Sequence, residues 1–139
     1  MKLKTSFGMV VSGHKEATKA GIKILKNGGN AMDAAIATAA TLAVAIPNMN
    51  GLGGDSIALW YDAKKNKTTV INGSGKSPSK ASKKYFNLRG LKKIPRRGPL
   101  SISVPGVVHA WETALKKYGR KNLKKIFESA INLAEKVLL

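Results

Sequence analysis

Three observations predict an α+β fold. Two segments with a helical apolar period precede Pro47, two short β-branched and aromatic runs follow it, and two more helical segments lie beyond Pro105. At 139 residues the chain has room for one domain and is too short for two ordinary ones. With 43% hydrophobic and 23% charged residues it is globular in composition, which excludes disordered and fibrous classes. There are no cysteines, so a disulfide framework, a thiolate metal site and a Cys nucleophile are all excluded.

Met9 to Ser12 is a short apolar run suited to a leading strand. From His14 the period turns helical, with Ala17, Ala20, Gly21, Ile24 and Leu25 on one face. Gly28 and Gly29 stop that helix, and Asn30 can cap the next, whose first turn carries Asp33 near the positive end of the dipole. The second helix is predicted over 31–45 and is small and apolar on nearly every side, which suits an element packed between layers. Pro47 ends it. After the glycine-rich stretch NMNGLGG, residues 56–61 and 68–71 read as a hairpin around the polar turn at 62–67. Residues 73–105 form a long excursion with one helical turn near 79–86, and loops of that length are commonly functional. Helices over about 106–118 and 123–136 complete the chain, the last capped by Asn122.

The opening MKLKTSFGMVVSG has a basic start, but its apolar run is too short for a secretory leader. The longest apolar stretch, residues 34–46, is broken by Thr38 and Thr41 and falls well below the roughly 20 residues that span a bilayer. No membrane partner is expected, and the expected location is cytoplasmic. The final Val137-Leu138-Leu139 ends a helix with neither glycine nor proline, and three strands are too few to cover four helices. Residues 1–139 are therefore expected to be a single partial domain, a fragment or one subunit of a larger assembly.

The stretch GMVVSGHKEATKAGIKILKNGGNAMDAAIATAATLAVAIPNMNGLGGDSIALWYDA, the SPSKAS segment and SVPGVVHAWETALKKYGRKNLKKIFESAINLAEK together resemble the N-terminal part of the γ-glutamyltranspeptidase family. The most specific part is an ordered set: Gly28-Gly29-Asn30-Ala31, Asp33-Ala34-Ala35, Gly51-x-Gly53-Gly54 and Pro105-Gly106. The resemblance implies the four-layer αββα sandwich of N-terminal-nucleophile hydrolases, to which this chain would supply one helical layer and a few strands. It also implies γ-glutamyl transfer or hydrolysis, glutathione hydrolase-like, or hydrolysis of another small amide. The family nucleophile is a threonine freed at the N-terminus of a second, smaller subunit, its α-amino group acting as base. None of Thr5, Thr18, Thr38, Thr41, Thr68, Thr69 and Thr113 sits in a matching motif. No catalytic residue is thus expected in this chain, and its expected partners are the remaining large-subunit segment and that small subunit.

One position departs from the family pattern. The resemblance places an arginine that grips the substrate's α-carboxylate four residues before Pro78, where this chain has Ser74. Serine offers no charge and no bidentate fork, so a smaller amide enters as a substrate class. Lys76 is a nearby point charge in a register two residues away. Ser74 and Asp55 are the candidate substrate-binding residues; Asp55, directly after Gly54, reads equally as a turn former or as a neighbour of the active site.

The other polar residues fit structural roles better. His14 and His109 have no companion at metal spacing, so no metal or other cofactor is expected, and Asp33 fits a helix start. The GLGG loop lacks the lysine and hydroxyl residue of a phosphate loop and leads into a strand, so close packing near a cleft suits it better than anion binding. The net charge of +18 raises a different possibility. Between Ala63 and Trp111 there are 12 Lys and Arg and no acidic residue, a stripe compatible with nonspecific nucleic-acid binding. No recognition motif accompanies it, and a solvated basic surface is the simpler reading.

Overall fold

A computed structural model of the chain describes residues 8–137. Five α-helices, one 3₁₀ turn and a two-stranded antiparallel sheet make up the described part. Helices α1 (Lys15–Lys26), α2 (Ala31–Ala45) and α5 (Leu123–Val137) pack into one layer. Helix α4 (Val107–Tyr118) lies between α2 and the hairpin formed by β1 (Ser56–Asp62) and β2 (Lys67–Gly73). The α+β expectation is met, with one helical layer and a hairpin.

Helices α1, α2 and α5 begin where the sequence offers a side-chain acceptor. At α1 the His14 ring accepts from the Glu16 N–H at 3.3 Å, so this histidine is a cap. At α2, Asn30 and Asp33 form a reciprocal capping box: Asp33 N donates to Asn30 Oδ1 at 3.0 Å and Asn30 N donates to Asp33 Oδ2 at 2.8 Å. Asp33 also reaches across the layer. Its carboxylate, fully buried, accepts from the Arg120 and Lys121 backbone N–H groups between α4 and α5, which fastens the start of one helix to the end of another. At α5 the Lys125 N–H donates to Asn122 Oδ1 at 2.9 Å.

The buried face of α1 is the predicted one, with Ala17, Ala20, Gly21 and Ile24 inside. Small residues let α2 approach its neighbours closely, and Thr38 and Thr41 satisfy their buried hydroxyls by donating to the carbonyls of Ala34 and Ala37. Ile36, Ala37 and Ala40 of α2 join Trp111 and Leu115 of α4 and Ile126 and Ala130 of α5 in one core. Trp111 leans on Phe127 at 6.1 Å between ring centroids, and Trp60 stacks on Tyr118 at 5.6 Å, tying the hairpin to α4.

Two expectations change. Met9 to Ser12 runs without secondary structure, because an apolar run becomes a strand only beside another strand and none pairs with it among the described residues. The helical turn foreseen at 79–86 is the short α3 (Lys83–Asn87), started by Ser82, and a 3₁₀ turn at Pro99–Ser101 was not foreseen. The apolar end at Leu138 and Leu139, the basic opening and Thr5 lie outside the described residues. No helix among the described residues is long and apolar enough to cross a membrane.

Candidate substrate site

Three segments far apart in sequence meet at the end of the hairpin: the end of the GLGG loop with Asp55, residues 73–76 at the end of β2 and just past it, and residues 103–107 at the start of α4. Backbone groups make most of the junction. The Gly54 carbonyl accepts from both Gly106 N–H and Val107 N–H at 3.1 Å, capping α4 where no side chain does. The Val104 N–H donates to the Lys76 carbonyl at 2.9 Å. Asp55 sits at the centre, its Oδ1 accepting from Gly75 N–H at 2.9 Å and from the Ser103 hydroxyl at 3.3 Å.

Two glycines make this approach possible. A Cβ on Gly75 would collide with the carbonyl of Val104, and one on Gly106 with the carbonyl of Gly73. Neither collision involves a flexible side-chain end that could swing away.

Asp55 and Ser74, the two residues singled out from sequence, are thus brought together through Gly75. Asp55 is exposed, and its carboxylate ties residues distant in sequence, Gly75 and Ser103, to the end of the glycine-rich loop. Ser74 is exposed, with its N–H donating to Asn72 Oδ1 at 2.9 Å. Ser103 and Gly75 belong to the same junction but carry no sequence signal by themselves. The SVPG stretch before α4 was the available hint, and only the fold shows that it lies against residues 75 and 76.

The GLGG loop does not behave as an anion cradle. Its Gly54 carbonyl is the acceptor in the junction, and added Cβ atoms on Gly51 and Gly53 would meet open space. The close packing expected of this loop is not seen: a Cβ on Gly54 would meet only the Gly51 carbonyl at 3.9 Å, and the loop joins the junction through the Gly54 carbonyl. His109 is exposed on α4, and no cluster of three or more metal-binding side chains occurs among the described residues.

Strong electrostatic perturbation lies on the helices. Hydrogen bonds from Lys125 and then Lys23 hold the Glu128 carboxyl down to about 2, and the Lys19 and Lys116 ammonium groups likewise lower Glu16 and Glu112. The threonines have structural surroundings: Thr18 shares a 2.7 Å hydrogen bond with Ser12, Thr38 and Thr41 bond back along α2, Thr68 and Thr69 lie in β2, and Thr113 lies in α4.

Comparison with known proteins agrees with this architecture. The family profile described as Gamma-glutamyltranspeptidase matches residues 17–136. The chain is 44% identical over 128 residues to the glutathione hydrolase-like YwrD proenzyme of Bacillus subtilis, covering 91% of this chain and 24% of that protein. It is 37% identical over 113 residues to the oxamate amidohydrolase proenzyme of Klebsiella pneumoniae, covering 81% of this chain and 21% of the relative. Among solved structures, Helicobacter pylori γ-glutamyltranspeptidase superimposes with a TM-score of 0.86 at 36% identity, covering 96% of this chain and 39% of that one. The chain thus spans about a quarter or less of the length of these curated relatives. Nothing in these matches supports the nucleic-acid reading of the basic stripe. Sequence, fold and the order of the glycine-bearing segments agree, and the chain belongs to the γ-glutamyltranspeptidase family.

Proposed function

We propose that this chain is the N-terminal part of the large subunit of an N-terminal-nucleophile amidohydrolase, contributing one wall of its substrate site. The observation that carries the reading is the junction at Asp55, where three glycine-bearing segments converge on an exposed edge holding Ser74. The nucleophile in this reading is a threonine at the N-terminus of a second polypeptide, whose own amine takes the hydroxyl proton as the oxygen attacks the amide carbonyl. The remaining large-subunit segment and that second polypeptide are the partners, and the cytoplasm is the proposed location, testable by fractionation.

The substrate is a γ-glutamyl compound or a smaller amide. Ser74 in place of an arginine favours the smaller amide, because it removes a bidentate, charged grip on a carboxylate. The names of the two curated relatives, one glutathione hydrolase-like and one an oxamate amidohydrolase, span these same two classes.

Coexpression tests the proposal. The pure chain is expected to turn over neither a γ-glutamyl anilide nor a small amide, whereas coexpression with the remaining large-subunit segment and a polypeptide beginning in threonine restores amidase activity. Turnover by the pure chain contradicts the proposal.

A further inference from the structure

We infer that the excursion between β2 and α4 is a docking surface for an anionic lipid bilayer, on which the protein lies without spanning it. Residues 77–97 take no part in the hydrogen bonds of the junction at Asp55, so this surface is separate from the candidate substrate site and does not depend on the amide chemistry.

The first support is where the charge sits. Residues 63–111 hold 12 of the chain's 25 Lys and Arg and no acid, whereas the other 90 residues hold 13 together with all 7 Asp and Glu. Most of the surplus is thus concentrated in one stretch. Nine of these cations lie from Lys76 to Arg97, all of them exposed, and no ion pair among the described residues engages any of the nine.

The fold then gathers them. Gly90, in the left-handed region at φ 69°, turns the chain back at the end of α3, with Gly90 N–H donating to the Asn87 carbonyl at 2.9 Å and Leu91 N–H to the Phe86 carbonyl at 3.1 Å. That reversal sets the second lysine pair beside the first. Lys83, Lys92 and Lys93 line one cavity of about 380 Å³ together with Phe86, Leu91 and Ile94. Aliphatic side chains also stand out among the cations: Leu88 is 77% exposed and Ile94 60%. Protruding aliphatic groups on a basic surface match a bilayer interface, where anionic headgroups meet hydrocarbon.

Two other polyanions fit this surface less well. Single-stranded nucleic acid binds by stacking its bases on open aromatic faces. Here the Arg89 guanidinium covers the Tyr85 ring at 3.7 Å, and Phe86 meets that ring edge-on at 5.5 Å between centroids. An acidic protein surface would have to strip water from strongly hydrated lysine ammonium groups, and protein interfaces are depleted in lysine. A headgroup layer is wet and leaves them hydrated. The short apolar runs that exclude a span do not bear on this mode: no helix among the described residues is long and apolar enough to cross a membrane, and a surface-lying association needs none.

The test is cosedimentation of the full chain with vesicles of pure phosphatidylcholine, and of phosphatidylcholine containing about 30% phosphatidylglycerol, at about 150 mM salt. Binding is expected to the anionic vesicles only, and to fall steeply as salt is raised. Changing Lys83, Lys92 and Lys93 together to Gln is expected to weaken it about 100-fold, near fivefold per lysine, whereas changing the same three to Arg leaves it intact. Leu88→Ser combined with Ile94→Ser is expected to weaken vesicle binding several-fold without altering retention on polyglutamate or single-stranded DNA. All five side chains are exposed, so their replacement leaves the core intact. Equal binding to neutral and anionic vesicles, binding to neither, or unchanged affinity in the Gln or Ser variants overturns the inference. Tighter binding to single-stranded DNA or to polyglutamate than to anionic vesicles at the same salt also overturns it, and assigns the surface to nucleic acid or to an acidic polypeptide. Vesicle binding that vanishes when the chain is assembled with the other polypeptides of the enzyme overturns it as well, because those polypeptides then cover the patch.

Discussion

The helical layer and the hairpin handle their apolar residues in opposite ways. In α1, α4 and α5 an apolar stripe faces inward and most charged residues face out, while α2, apolar on nearly every side, buries its one charged residue, Asp33; Ile126 has no exposed surface and Trp111 is 5% exposed. In the hairpin both faces are apolar. Trp60 and Ile71 pack toward the helices, while Ile57, Leu59, Tyr61 and Val70 stand on the opposite face, with Leu59 73% exposed. An antiparallel pair that meets water on one side normally alternates apolar with polar. A hairpin apolar on both sides has the composition of an inner layer; the helices bury a continuous core and leave a smaller share of their large apolar residues exposed, among them Val108 and Ile131.

The largest test of this contrast is Asp33→Ala. It removes a buried carboxylate from the N–H groups of Asn30, Arg120 and Lys121, and a loss of about 3 to 5 kcal/mol is expected in urea unfolding. A loss under about 1 kcal/mol would show that the α2 start and the α4–α5 connection hold together without it. Next comes a paired measurement. Ile126→Ala should cost about 2 to 4 kcal/mol whether or not the rest of the enzyme is present. Leu59→Ala should cost about 0.5 kcal/mol or less in the chain by itself and several times that in the assembled enzyme. Equal small costs for Leu59→Ala in both settings would mean that the outer face of the hairpin stays bare.

The smallest effect concerns pH. Glu128, bridging Lys23 on α1 and Lys125 on α5, has its carboxyl lowered from 4.5 to about 2 by those partners. A lowered folded-state value means stability that is present above the ordinary carboxylate range and is lost as pH falls toward 2. Glu128→Gln should therefore show a small deficit at neutral pH, screened by salt, that closes as pH falls from about 4.5 toward 2. A deficit independent of pH would assign Glu128 a packing role.

The helices were legible because their signals are local. Asn30 three residues before Asp33, the stop at Pro47 and the small apolar run of α2 all act within a few residues of one another, and α2 spans Ala31–Ala45 as read. The candidate site was legible only in part. Asp55 stood out by following Gly54 and Ser74 by family resemblance, but their meeting through Gly75 and Ser103 depends on backbone pairing between distant segments, which no local pattern records. The leading run at 9–12 misled for the complementary reason. Its composition is that of a strand, yet strand formation needs a neighbour, and among the described residues it has none.

In the proposed function the edge holding Ser74 faces substrate. The most direct measurement of that placement is the relative kcat/KM of the assembled Ser74→Arg enzyme for a γ-glutamyl anilide and for a small amide. Restoring a charge-assisted grip at that position should shift the ratio toward the γ-glutamyl substrate by roughly 10- to 150-fold, or less where the arginine lacks neighbours to hold its fork. An unchanged ratio in an enzyme that remains folded and active would contradict the placement of Ser74 in the substrate site.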